Sequence, residues 1–305
     1  MDNKKSRVWL WVLLGGGAFM MFVVATFILV YVSLSGGGSD ETISGSGFGD
    51  KIGVIEVEGV ILDTRPAVNN IKRFSDDDSI KAIILHINTP GGGAAASQEI
   101  FEAVRRVRDV KKKRIVASIG SIGASGGYYI ASGSSRIYAN PSSIVGSIGV
   151  IAEWLNYGDL MKWAKLKDVT LKAGSLKDAG SPSRDMTPEE RAYLQSLIDD
   201  MHQQFIHDVA EGRHLKEEQI RPIANGRVWT GQQALPLKLI DQLADFQTVV
   251  DETAKAVGIR GEPTLVRPAK ERHTLMDVLG GDVSQYLPDK AKFMQRNPEF
   301  YFLWK

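Results

Sequence analysis

Three serines stand among small residues in Gly120-Ser121-Ile122-Gly123-Ala124-Ser125-Gly126-Gly127-Tyr128-Tyr129-Ile130-Ala131-Ser132, within a chain of 305 residues that has no cysteine and five histidines. Of the three, only Ser125 has a glycine two residues away on both sides. Gly123-Ala124-Ser125-Gly126-Gly127 matches G-x-S-x-G, the strand-to-helix turn that presents a nucleophilic hydroxyl. Small neighbours leave that hydroxyl unshielded, and backbone N–H groups at a helix start would face a developing oxyanion. Packing turns use the same Gly/Ser-rich pattern, so the motif alone leaves both roles open. Gly91-Gly92-Gly93 lies between an apolar run and a helical pattern. Its N–H groups would serve an anion nest, an oxyanion hole or a plain tight turn.

A serine nucleophile needs a base. His86 lies in an apolar run, as a hydrogen-bonded core histidine would, and His273 lies in a basic tail. His202 and His207 belong to an amphipathic pattern and fall on different helix faces; no H-x-x-x-H pair exists, so no metal set is expected. His214, just past that pattern, is the best placed histidine. A lysine is the alternative, offered by the polar, glycine-rich stretch from Lys172 to Pro182 that follows a short expected strand, Val169 to Leu171. A lysine at its ordinary pKa of about 10.4 is almost wholly charged at pH 7. Lowering it by about three pH units, roughly 4 kcal/mol, would make a useful base. At this point histidine and lysine both stand.

The elements that must position these groups alternate. The periodicity predicts strands over 52–61, 82–88, 114–119, 136–139 and 144–151, and helices over 66–74 and 95–107. Thr89 to Gly93 is expected as a loop. Thr187-Pro188-Glu189-Glu190 carries a capping box and opens a long helix running to about Gly212. Further helices are expected over 215–257, around Asn225-Gly226-Arg227. Continuous apolar strands between helices imply an α/β fold with a parallel or mixed sheet.

Composition is ordinary, with 43% apolar and 24% charged residues, and a net charge of +1 gives no electrostatic reason for nucleic-acid binding. The absence of cysteine excludes disulfides, thiol catalysis and thiolate metal sites. Residues 1–7 are short and basic; residues 8–34 hold no charged side chain. A helix of that length spans about 40 Å, against about 30 Å of hydrocarbon core. The expected organisation is a cytoplasmic N-terminus at 1–7, a transmembrane anchor at 8–34 and a flexible linker at 35–50. A catalytic domain at 51–258, placed outside by the positive-inside asymmetry, and a basic extension at 259–305 follow. A cleaved signal peptide is the competing account of the apolar run; it would be shorter and followed by an A-x-A site.

Three segments extend this picture: Asn88-Thr89-Pro90-Gly91-Gly92-Gly93, Ala124-Ser125-Gly126-Gly127-Tyr128-Tyr129-Ile130-Ala131 and Gly146-Ser147-Ile148-Gly149-Val150-Ile151. In order and spacing they resemble the membrane-anchored signal peptide peptidases of peptidase family S49. The stretches Lys172 to Met186 and Asn225 to Asp241 lengthen the match, to about residues 50–255. Thr89 departs from the serine common before Pro-Gly-Gly. The resemblance implies a ClpP/crotonase-like fold and a Ser–Lys dyad that needs no cofactor. Ser125 would be the nucleophile, Lys177 the general base and Ser147 the serine that orients the lysine, with Gly92 and Gly126 N–H groups as oxyanion hole. It also implies a homo-oligomer in which neighbouring subunits share the dyad, acting at the cell membrane on peptide substrates, chiefly remnant signal peptides. A membrane partner protein as substrate, a Ser–His hydrolase and a non-catalytic crotonase-like scaffold are the alternatives.

Overall fold

The computed structural model describes residues 14–17, 19–27, 41–44, 50–269 and 301–304. The chain divides into two compact units, residues 1–40 with 269–287, and residues 41–268 with 288–305. In the first, residues 14–17 and 19–27 are helical, with Leu14, Phe19, Met20, Met21 and Phe22 exposed. Among the described residues no helix is long and apolar enough to cross a membrane. The remainder of the expected 8–34 anchor lies outside the described residues, as do residues 1–7 and 270–300.

The second unit is a mixed α/β sheet. Its strands are β1 (Glu41–Ser44), β2 (Lys51–Ile61), β3 (Ile80–Gly93), β4 (Arg114–Ala124), β5 (Ile137–Ala139), β6 (Ile144–Gly146), β7 (Val228–Thr230), β8 (Gln242–Leu243), β9 (Thr264–Arg267) and β10 (Tyr301–Leu303). The main order is β1-β9-β2-β3-β4-β5-β8, with β6 and β10 joined to the ends of β4 and β3. The central pairs β2–β3, β3–β4 and β4–β5 are parallel. Within the expected linker, Glu41–Ser44 pair with β9, so part of that stretch is β-structure.

Parallel strands need cover on both faces, and their apolar residues divide accordingly. Ile83, Leu85 and Ile87 of β3 pack with α1 (Arg65–Asp76), α2 (Ala94–Asp109), α3 (Gly126–Ser132) and α4 (Pro188–Gly212). Ile84 faces the other way, with Val54 and Val116, onto Val249 and Val250 of α5 (Phe246–Ala256). The long helix α4 begins where the capping box places it. Thr187 Oγ1 accepts from Glu190 N–H at 3.2 Å, and Thr187 N–H donates to the Glu190 carboxylate at 2.8 Å.

Three expectations need correction. Thr89 to Gly93 is not a loop: β3 runs on through Gly93, because β2 pairs one side and β10 takes the other. The expected 144–151 strand ends at Gly146, where φ is +92° and Ser147 follows at φ +54°. Val169 to Leu171 forms no strand; Val169 is 81% and Leu171 96% exposed, with no sheet edge to pair them.

Candidate active site

Register brings the two serines together. β4 pairs with β6 in parallel, Ala124 opposite Gly146. The next residue on each strand is therefore Ser125 and Ser147, leaving the sheet side by side. Ser125 N–H donates to the Gly146 carbonyl at 2.7 Å, and Ser147 N–H to the Arg227 carbonyl at 2.8 Å. Both serines have left-handed backbones, Ser125 at φ +51° and Ser147 at φ +54°, a region that non-glycine residues seldom occupy. Strain of this kind is retained where surrounding structure over-determines it, commonly at functional sites. Ser125 is 1% exposed, and its Oγ has no hydrogen-bond partner.

Gly92 meets Gly126, the residue that follows Ser125. A Cβ on Gly126 would lie 3.2 Å from Gly92 N, so the two peptides face one another. Gly91 needs its glycine twice over: φ is +103°, and a Cβ would fall 2.7 Å from Gly126 N. Thr89 braces this end of β3. Its Oγ1 accepts from Gly91 N–H at 3.0 Å while its hydroxyl donates to the Gly59 carbonyl. The sequence marked Thr89 only as a departure from serine; the structure ties it to the backbone of the glycine run. Gly146, whose carbonyl anchors Ser125, was likewise not singled out.

The cleft holds a strand. β4 parts from β3 after the Thr89–Gly123 pair, and β10 replaces it opposite Gly91–Gly93. Ile151 lies on the far side of β10. Tyr301 N–H donates to the Ile151 carbonyl at 2.9 Å and Ile151 N–H to the Tyr301 carbonyl at 3.0 Å. An extended backbone paired on both edges is how a sheet edge recognises a peptide. The apolar end of the sequence was the only signal for this segment. Next to Leu303 and Trp304 opens a cavity of about 600 Å³, which Ser147, Glu153, Asp199 and His202 help to line.

Lys177 is exposed and makes no hydrogen bond to Ser125 Oγ. Its loop is nonetheless tied down by a chain of charges. Asp178 accepts from Lys172 and pairs with Arg184 at 2.9 Å; Arg184 in turn donates to Glu190, in the first turn of α4, at 2.9 Å. Hydrogen bonds from Lys172 and Arg184 hold the Asp178 carboxyl down at about 2. Those from Arg184 and from the Thr187 backbone do the same for Glu190, also at about 2.

The histidines are occupied differently. His207 Nδ1 lies 2.9 Å from Glu217, and that hydrogen bond raises its pKa. His214 is exposed at the end of α4, at φ +54°. His86 packs edge-on to Phe246 at 4.9 Å, its pKa lowered by burial.

Known proteins supply an independent measure. The family model described as peptidase family S49 matches residues 108–260. A Synechocystis sp. protein named as a protease, slr0021, is 38% identical over 236 residues, covering 77% of this chain and 84% of its own. An Enterococcus faecium protein named as a signal peptide peptidase, SppA, is 31% identical over 230 residues, covering 71% and 67%. A Methanocaldococcus jannaschii protein named as a protease, MJ0651, is 34% identical over 211 residues, covering 69% and 67%. With the fold, the paired serines and the glycine cradle in place, these matches establish that the chain belongs to peptidase family S49.

Proposed function

We propose that the protein is a Ser–Lys endopeptidase whose dyad is completed between two copies of the chain. The observation that carries this is the pairing of a buried, unpartnered Ser125 Oγ with a Lys177 that is exposed on the same chain. A neighbouring copy's Lys177, desolvated on docking, would lose its charge more readily and take the Ser125 proton. Ser125 Oγ then attacks the peptide carbonyl, whose oxyanion is held by the N–H groups of Gly92 and Gly126. The proton passes to the leaving amine, and a water activated by the same lysine hydrolyses the ester. Ser147 orients the lysine amine. An apolar surface supports the assembly: Leu155, Trp163, Val169 and Leu171, on the segment leading to Lys177, are each more than 80% exposed.

The uncharged run 8–34 acts as the anchor, with residues 1–7 cytoplasmic, 35–50 as a tether that joins the sheet at Glu41–Ser44, and 51–258 as the catalytic domain outside. Its substrates are peptides at the membrane surface, foremost the signal peptides left there after cleavage. The name of the E. faecium relative supports that choice.

Ser125→Ala and Lys177→Ala test the dyad. Each should lower peptide hydrolysis by about 10³-fold or more. Co-expressed, the two variants should regain measurable activity, because one interface then joins an intact Ser125 to an intact Lys177. Full activity in either single variant would sink the Ser–Lys assignment. Absence of complementation would sink the sharing between copies.

A further inference from the structure

We infer that Trp229 is a positioning residue for the reaction: its indole fixes the one peptide plane, Gly146–Ser147, from which both serines of the site are held. This rests on the Ser–Lys assignment above and concerns how that site is kept in register.

The plane carries two opposed hydrogen bonds. A trans peptide points its carbonyl and its N–H in opposite directions. The Gly146 carbonyl accepts from Ser125 N–H at 2.7 Å. The N–H on the same plane, that of Ser147, donates to the Arg227 carbonyl at 2.8 Å. A flip of this plane would therefore release Ser125 from β6 and Ser147 from β7 together. Local conformation alone does not forbid the flip. Gly146 is at φ +92°, and glycine takes either sign of φ readily. Ser147 follows at φ +54°, a strained place for a residue with a side chain.

Trp229 removes that freedom. It stands opposite Val145 in the antiparallel β6–β7 ladder, next to the Gly146–Val228 pair. Its Cδ1 lies 2.9 Å, and its Nε1 3.6 Å, from where a Gly146 Cβ would be. The indole thus covers the bare face of Gly146, at a distance that no side chain there would permit. The ring is itself held. It packs against the hydrophobic core, and the Arg227 guanidinium lies over it at 5.4 Å from the centroid. Beyond Ser147 the same turn continues the grip, with Gly226 N–H donating to the Ile148 carbonyl at 3.0 Å.

The indole N–H is buried and donates to no group among the described residues. A buried donor without a partner counts against stability. The ring therefore acts through its flat face and not through a hydrogen bond, which sets what can replace it.

Hydrolysis of a peptide substrate by the full chain in detergent tests this, with kcat counted per Ser125 labelled to completion by a fluorophosphonate. Trp229→Leu keeps apolar bulk and loses the flat face. It should lower kcat about 10²-fold, as a shift of about one ångström at a reacting group does, with KM unchanged. Trp229→Phe keeps a ring against Gly146 and should restore most of that loss. Ser147→Ala supplies a readout that general packing would not move. Because both changes act on one plane, Trp229→Leu should cost only about tenfold in the Ser147→Ala background. Additive losses, or a Trp229→Leu kcat equal to wild type, would overturn the positioning role while leaving the protease assignment standing.

Should Trp229→Leu fail to fold by circular dichroism, Arg227→Gln carries the test. Arg227 is exposed, and its bond to Ser147 uses the backbone, so the change frees only the ring face. It should lower kcat about threefold at unchanged KM; an unchanged kcat would overturn the proposal. No hydrolysis by wild type, together with no labelling of Ser125, would overturn the Ser–Lys assignment and this role with it.

Discussion

Gly126 illustrates how tightly single residues are specified around Ser125. A Cβ there would lie 2.3 Å from Ser97 Oγ and 3.1 Å from the Phe302 carbonyl oxygen. Gly126→Ala should therefore cost about 1–3 kcal/mol through overpacking. By displacing an N–H proposed to hold the oxyanion it should also slow fluorophosphonate labelling of Ser125 by about 10²-fold. Adding Ser97→Gly would relieve the first clash; the melting temperature should recover while the labelling rate stays low. Recovery of both would show that Gly126 serves packing alone. At this scale the sequence singled out Ser125 by its glycine neighbours, and the structure places it buried at the end of β4, one residue before Gly126 and beside the Gly91–Gly93 end of β3. The role of Thr89 was not legible, because its partner Gly59 carbonyl is distant in sequence and no local pattern announces the contact.

Elements defined by local chemistry came out as the sequence implies, and those defined by distant partners did not. The α4 start is written in Thr187, Pro188 and Glu190, all within one turn. The extension of β3 through three glycines depends on strands from both ends of the chain, so composition suggested a loop instead. Lys177 is proposed as the base from family resemblance, not from its own surroundings. What holds its loop is Arg184, between Asp178 and Glu190. Both carboxyls are held near pH 2 against ordinary values of 3.8 and 4.5. Groups with depressed folded-state pKa values stabilise the fold above their unfolded pKa, and that contribution fades as pH falls toward 2. Arg184→Gln should accordingly melt below wild type at pH 7, with the gap closing as the pH is lowered from 4.5 to about 2. A gap independent of pH would mean that the arginine acts only by packing. The same variant should also reduce kcat, by about 10²-fold if the lysine shifts by an ångström.

On the scale of the whole molecule, the exposed apolar residues ahead of Lys177 bear on assembly. Trp163→Glu combined with Leu171→Asp should leave the monomer folded by circular dichroism, since both side chains are more than 80% exposed. It should abolish peptide hydrolysis and leave only monomer in light scattering, where wild type is expected to give the proposed oligomer; activity in a demonstrably monomeric variant would sink the shared dyad. The replacement of β4 by β10 beside Gly91–Gly93 has a practical side as well. Without residues 301–305 that stretch of β3 becomes a bare edge, with backbone donors and acceptors left open to any extended chain. Material shortened before Tyr301 is thus a candidate for strand-to-strand aggregation, and a charged, proline-containing peptide supplied in trans should keep it in solution.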